Sequence, residues 1–183
     1  MQNDLHIRTA QLSDAGAISE IYAPYVRDTA ISFEYEAPDA SEMENRIRTI
    51  AARYPYLVAC DGEQVVGYAY AGPFKTRKAY DISVEVTVYV RKGYARRGIG
   101  QALYKELESR LKAQHICNLY ACIALPDTDN DPYLTTDSIE FHTHMGYRTA
   151  GTFRDCAVKF GRAYSMVWME KRILSPGPEL PLP

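Results

Sequence analysis

No apolar run in the 183 residues approaches the length needed to span a bilayer, and the N-terminus MQNDLHIR has no apolar signal core. Both gaps lead to the expectation of a cytoplasmic protein with no membrane role. Cysteine is scarce: Cys60, Cys117, Cys122 and Cys156 have neither CxxC spacing nor the density of a disulfide scaffold, which favours reduced structural thiols over metal or redox roles. Histidine is as scarce, and His142 and His144 form HxH rather than HExxH, so no metal is expected. A net charge of −2 leaves no basic excess for a phosphate-backbone track, and nucleic acid is not an expected partner. There is no internal repeat and no composition shift, while 46% hydrophobic residues supply one sizeable core. The final stretch LSPGPELPLP has four prolines and little to bury. Residues 174–183 are therefore read as a disordered tail, and 1–173 as the domain.

What is present centres on the run from Tyr80 to Leu107. Its even positions Ile82, Val84, Val86, Val88 and Val90 alternate with Ser83, Glu85, Thr87 and Tyr89, the period of a strand with one buried face and Glu85 and Tyr89 together on the polar face. A basic turn follows with Arg91, Lys92, Gly93, Arg96, Arg97, Gly98 and Gly100, and then Leu103, Leu107 and Leu111 at helical spacing. Glycines let a polyanion approach the backbone, and the unpaired N–H groups and positive dipole end of the next helix favour negative charge there. The pattern suits a pyrophosphate cradle, although an ordinary strand, turn and helix fits it about as well. It is neither GxxxxGK[ST] nor a dinucleotide fingerprint.

Elsewhere, Leu5 and Ile7 predict a first strand. Ser13 predicts the cap of a helix carrying Ile18, Ile21, Tyr22 and Tyr25. The aromatic, acidic segment Thr29 to Pro38 reads as a loop, where Phe33 either lines a pocket or sits in the core. Ser41 and Glu44, in capping-box spacing, open a helix that carries Met43, Ile47, Ile50, Ala51 and Tyr54 on one face and ends before Pro55. Asp61-Gly62 joins strands 56–60 and 65–71, and Gly72-Pro73 ends the second of them. Lys75, Arg77 and Lys78 lie between Phe74 and Tyr80, a mixture that suits a small anionic or zwitterionic ligand or a solvated loop. A strand at 118–125, a helix capped by Thr136 or Asp137 and stopped at Gly146, and late strands at 148–152 and 165–171 complete an α/β domain around a mixed central sheet flanked by helices.

The run VTVYVRKGYARRGIGQALY, after a hairpin and before a strand and a helix ending at Met145-Gly146-Tyr147, resembles the acyl-CoA site of the GNAT acetyltransferase superfamily. YPYLVACDGEQVVGYAYAGPFKTRKAYDISVEVTVYV, with SFE before it and KFGR after it, is similar to the branch that acetylates phosphinothricin, methionine sulfoximine or methionine sulfone. The resemblance implies the GNAT fold, acetyl-CoA as co-substrate, a small amino-acid-like acceptor and a homodimer. It implies that the backbone of Val88, Tyr89 and Val90 meets the pantetheine arm and that Arg96, Arg97, Gly98, Ile99, Gly100 and Gln101 hold the pyrophosphate, with Thr135 also at the cofactor. Glu85 and His142 match the catalytic positions, with the base and acid roles open between them. Phe33, Tyr70, Lys75, Arg77 and Tyr80 match the acceptor side. Ala95, Thr135, Ala163 and Ser165 depart from the family pattern. Acetylation of peptides or polyamines and a non-catalytic acyl-CoA-binding module are the competing readings; the cations at 75–78 speak against a polycationic acceptor.

Overall fold

The computed structural model describes residues 5–175 apart from 127 and 129. All but the first two residues of the expected tail lie outside the described residues. In chain order the elements are β1 (Leu5–Thr9), α1 (Ala15–Asp28), α2 (Ala40–Ala51), β2 (Tyr56–Asp61), β3 (Gln64–Pro73), β4 (Ser83–Val90), α3 (Ile99–Ala113), β5 (Asn118–Leu125), α4 (Asp137–His144), β6 (Arg148–Lys159) and β7 (Arg162–Arg172). They build a seven-stranded sheet in the order β1-β2-β3-β4-β5-β7-β6. β4 and β5 run parallel, joined by the α3 crossover, and the other neighbours are antiparallel.

The even face of β4 behaves as its alternation requires: Val84 and Val86 are buried against Ile99, Leu103, Leu107 and Leu111 of α3. The odd face is not solvated. α1 and α2 bury a second cluster of Ile18, Ile21, Tyr22, Met43 and Ile47 on Tyr56, Val58 and Tyr68 of the sheet, and Tyr89 packs at its edge. Tyr89 meets the rings of Tyr22, Tyr25 and Tyr68 at 4.8, 4.9 and 5.5 Å. Hydroxyl-bearing aromatics read as polar in an alternation count, yet their rings bury as well as aliphatic side chains do.

Local boundaries moved where a tertiary partner intervened. Ser13 lies within a 3-10 turn, Leu12–Asp14, that precedes α1. Asp14 is buried there, accepting from Gln11 N–H at 2.7 Å and from both Arg8 amino groups at 2.7 and 2.8 Å. α2 is capped by Asp39, whose side chain accepts from Glu42 N–H at 2.8 Å, instead of by Ser41. β3 runs through Gly72-Pro73, which face Glu85 and Val84 across the ladder; proline is tolerated at a strand end because no further ladder bond is needed of it. The last hairpin is longer than expected. Bulges between Thr149 and Gly151 and between Phe153 and Ala157 shift its side-chain phase, so β6 has no readable period. Phe160 and Gly161, at φ +52° and +71°, close it in the way a two-residue hairpin turn requires.

Candidate active site

β4 pairs with β5 only from Ser83 to Glu85, opposite Asn118 to Tyr120, whereas it stays paired with β3 to its end at Val90. The sheet opens between the two strands beyond Glu85. Arg91 N–H donates to the Val66 carbonyl at 2.8 Å. Antiparallel bonding alternates along a strand, so this phase turns the main-chain groups of Glu85, Thr87 and Tyr89 to β3 and those of Val86, Val88 and Val90 to the opening. Of the trio Val88–Val90, the even members therefore turn their main-chain groups to the opening and Tyr89 presents its ring. The Val90 carbonyl already accepts from Tyr25 Oη at 2.6 Å.

Two cavities flank the opening and share Ile31, Thr87, Tyr89, Cys122 and Ala124 as walls. The larger, about 350 Å³, is lined by Tyr22, Phe33, Glu34, Arg46, Tyr70 and Glu85 among others. The smaller, about 70 Å³, is lined by Val86, Val88, Tyr104, Ser138 and His142. Burial raises the Glu85 carboxyl above its ordinary range, partly offset by the nearby Lys75 ammonium. Glu34 behaves oppositely: its burial is more than offset by hydrogen bonds from Arg46 and from the Tyr22 hydroxyl, which hold it below the usual carboxylate range. Those bonds run from Arg46 Nη1 and Nη2 at 2.8 and 3.1 Å and from Tyr22 Oη at 3.0 Å. Tyr70 stacks on Tyr56 with centroids 4.8 Å apart, and burial raises its phenol.

His142 is 5% exposed, with both ring nitrogens engaged. Nδ1 lies 2.7 Å from the Ser138 carbonyl, which can only accept, so Nδ1 carries the proton; Nε2 then accepts from Tyr104 Oη at 2.9 Å. Burial also lowers the imidazole pKa. The ring is fixed as a neutral tautomer facing the smaller cavity, on the other side of the opening from the Glu85 cavity.

At the far end of β4, Arg96 and Gly98 adopt φ of +62° and +78°, and α3 starts at Ile99. Successive turns of this kind point main-chain N–H groups into one concavity, and the N–H groups of Ile99, Gly100 and Gln101 have no intrahelical acceptor. Gly98 is thus required by its backbone conformation. Gly100 has a different reason: a Cβ there would stand 3.3 Å from two Phe141 ring carbons, so this glycine lets α3 approach α4. Arg96 and Arg97 are exposed; Arg96 approaches Asp137 at 3.8 Å, and Arg97 lies over the Tyr94 ring at 4.7 Å. Thr135, also exposed, accepts weakly from Asp137 N–H at 3.4 Å where α4 begins.

Phe33, Tyr70, Glu85 and Tyr89 are thus brought together around one cavity. Lys75, Arg77 and Tyr80 are on the exposed segment after β3, outside its walls, with Lys75 near enough to act on Glu85. Glu34, Arg46, Thr87 and Cys122 are walls that sequence reasoning missed. Arg46 stands three positions after Met43 and four before Ile50, at the border of the buried stripe of α2, so helical periodicity could have found it; a stripe read from apolar residues alone passes over an arginine.

A sheet opened beside a strand with free main-chain donors, with a helix N-terminus at one end and a desolvated carboxylate at the other, is the architecture of an acyl-CoA-dependent N-acyltransferase. Residues 7–168 match the family model described as an acetyltransferase (GNAT) domain. The phosphinothricin N-acetyltransferase of Streptomyces viridochromogenes is 34% identical over 97% of this chain and 93% of that protein. The L-methionine sulfoximine/L-methionine sulfone acetyltransferase of Salmonella typhimurium is 28% identical over 91% and 94%. A crystal structure of a phosphinothricin acetyltransferase from Sinorhizobium meliloti in complex with acetyl-CoA has a TM-score of 0.82 and 30% identity, covering 96% of this chain and 95% of that one. The chain belongs to the GNAT acetyltransferase family.

Proposed function

We propose that the protein acetylates the α-amino group of a small amino acid or analogue of the phosphinothricin, methionine sulfoximine or methionine sulfone type. The observation that carries this is Glu85: a carboxylate of raised pKa on the wall of a 350 Å³ cavity that opens onto the free edge of β4. The relatives named above act on acceptors of this kind. The residues fit acetyl-CoA, with a positive-φ turn and a helix N-terminus for a diphosphate and unpaired strand groups for an amide-bearing arm. Val88 and Val90 would take the pantetheine arm, and Arg96 through Gln101 the pyrophosphate, with Thr135 beside them. When bound, acetyl-CoA supplies a thioester carbonyl open to a neutral amine.

The α-ammonium of an amino acid has a pKa far above that of an ordinary carboxylate, and a carboxylate whose own pKa is raised accepts its proton more readily. Glu85 performs this step from the cavity wall. Main-chain N–H groups on the even positions of β4 face the opening and stabilise negative charge there; one such donor is worth about 3 kcal/mol in other acyl transfers. His142 leaves the base role to Glu85 because both of its nitrogens are engaged, and it orients the Tyr104 hydroxyl. Lys75 and Arg77 attract the acceptor carboxylate at the cavity rim, beside Tyr80, while Phe33 and Tyr70 enclose its side chain.

The reading includes a catalytic domain of residues 1–173, working in the cytoplasm, where its unpaired thiols stay reduced. It also includes a homodimer, for which the partly exposed aromatic cluster of Phe74, Tyr80 and Trp168 offers a surface. The test is an acetyl-CoA turnover screen, followed by thiol release, over amino acids, their sulfoximine, sulfone and phosphinic analogues, peptides and polyamines. Turnover confined to the small zwitterions supports the reading. Turnover of peptides or polyamines in preference, or of none, rejects it.

A further inference from the structure

The tip of the β6–β7 hairpin is remote in sequence from the acceptor cavity but touches its wall. Lys159 is 3% exposed, and its Nζ donates to the Val26 carbonyl in the last turn of α1 at 2.7 Å and to the Ser32 carbonyl. Burying an ammonium is costly, and an apolar side chain of similar length would fill the space more cheaply. What offsets the cost here is geometry: two carbonyls, one at the negative end of a helix, with the Phe160 ring 5.2 Å away and Glu34 near enough to oppose the lowering of its pKa by burial.

The segment this ammonium grips has no helix or strand from residue 29 to 39, so it cannot hold its own shape through backbone ladders. Its order comes from outside. Ser32 Oγ and Tyr22 Oη are 2.6 Å apart, Glu34 N–H donates to Ser32 Oγ at 3.2 Å, and Tyr22 Oη donates to Glu34. Tyr22, Ser32, Phe33 and Glu34 all line the larger cavity. The hairpin tip adds two further ties: Tyr35 Oη donates to the Val158 carbonyl at 2.6 Å, and Phe160 stacks at 4.2 Å on Tyr133, whose carbonyl accepts Ala30 N–H.

We propose that Lys159 is a positioning residue of the acceptor site: its ammonium pins the Ser32 carbonyl to the end of α1 and so fixes the wall of Ser32, Phe33 and Glu34 against which the acceptor is held. The inference rests on the acceptor cavity assigned above and adds a determinant from the other end of the chain. Lys159→Met keeps the length of the side chain and removes its charge. The expected result is at least a tenfold rise in acceptor KM, with coenzyme A affinity by calorimetry within twofold of the unaltered protein. An acceptor KM within twofold overturns the proposal, and so does an equal loss of acceptor and cofactor binding, which is the signature of general unfolding. Hydrogen exchange over residues 29–36 needs no acceptor, which separates failure here from failure of the functional reading. Faster exchange in Lys159→Met supports the pin, and unchanged exchange removes it whatever the acceptor proves to be. If Lys159→Met does not fold, Tyr35→Phe decides, because it removes one exposed hydrogen bond from the same contact. It is expected to raise acceptor KM about threefold, and an unchanged KM overturns the proposal.

Discussion

Glu85→Gln tests the chemistry most directly, since it keeps the shape of the side chain and removes its basicity. A positioned general base contributes about 10²–10⁴ in rate. Which end of that range applies depends on whether another group can substitute. Among the described residues lining the larger cavity, the other carboxylate is Glu34, and it is spent on Arg46 and Tyr22 with its pKa held low. The His142 nitrogens are engaged on the far side of the opening. A loss of about 10³ in kcat, ~4 kcal/mol at 1.36 kcal/mol per decade, is therefore expected. The assay is thiol release from about pH 4.5 to 9 with saturating acetyl-CoA and acceptor; the ascending limb of kcat that Glu85 sets above its ordinary value should vanish in Glu85→Gln. In Lys75→Met the limb should move to higher pH, because the cation that partly offsets the raised pKa is gone. A second readout follows from linkage. Burial raises the folded pKa of Glu85 above its ordinary value of 4.5, so in the window between the two the native state keeps a proton that the unfolded chain has lost. Stability falls with rising pH through that window, and Glu85→Gln should lack this fall and melt at a higher temperature at neutral pH. Turnover within threefold of the unaltered enzyme at every pH would refute the assignment of the base.

Gly100→Ala gains about 0.8–1 kcal/mol of helix propensity but forces its Cβ to 3.3 Å from the Phe141 ring. Overpacking of this kind costs about 1–3 kcal/mol, so net destabilisation of about 1 kcal/mol is expected in urea unfolding, and stabilisation would contradict the close approach of α3 and α4. His142→Leu leaves the Tyr104 hydroxyl without its acceptor and should cost about 1–3 kcal/mol. Its pH signature has the opposite sign to that of Glu85: the folded imidazole pKa lies below 6.5, so the stability His142 contributes is present above 6.5 and lost as pH falls toward the folded value. Titration of His142 by NMR at or above 6.5 would contradict this. Arg77→Ala should raise acceptor KM with kcat little changed, as removal of uniform binding does, and an unaltered KM would take the 75–80 segment out of acceptor recognition.

The order of elements was legible in the chain because each rests on a local period: the alternation of Val84 and Val86, the α3 stripe of Leu103, Leu107 and Leu111, and the turn at Asp61-Gly62. The face of Glu85 was legible for the same reason, since alternation put it opposite the valines, whereas its match to a catalytic position came from the family resemblance. The cradle was legible as a turn but not in its division of labour. Gly98 and Gly100 look alike as letters, and only Phe141, 41 positions away on another helix, separates a glycine needed for its φ from one needed for contact.

What a sequence by itself determines here is which residues share a face of their own strand or helix, because side-chain direction repeats within a few residues. It cannot determine what covers that face. The opening between β4 and β5, the Tyr104 hydroxyl on His142 and the Lys159 ammonium on Ser32 join residues 35 to 127 positions apart. Such contacts leave no period in the chain. Tertiary structure decided that Glu85 is desolvated and His142 engaged, and the proposed division into a proton acceptor and a scaffold residue rests on that difference in surroundings.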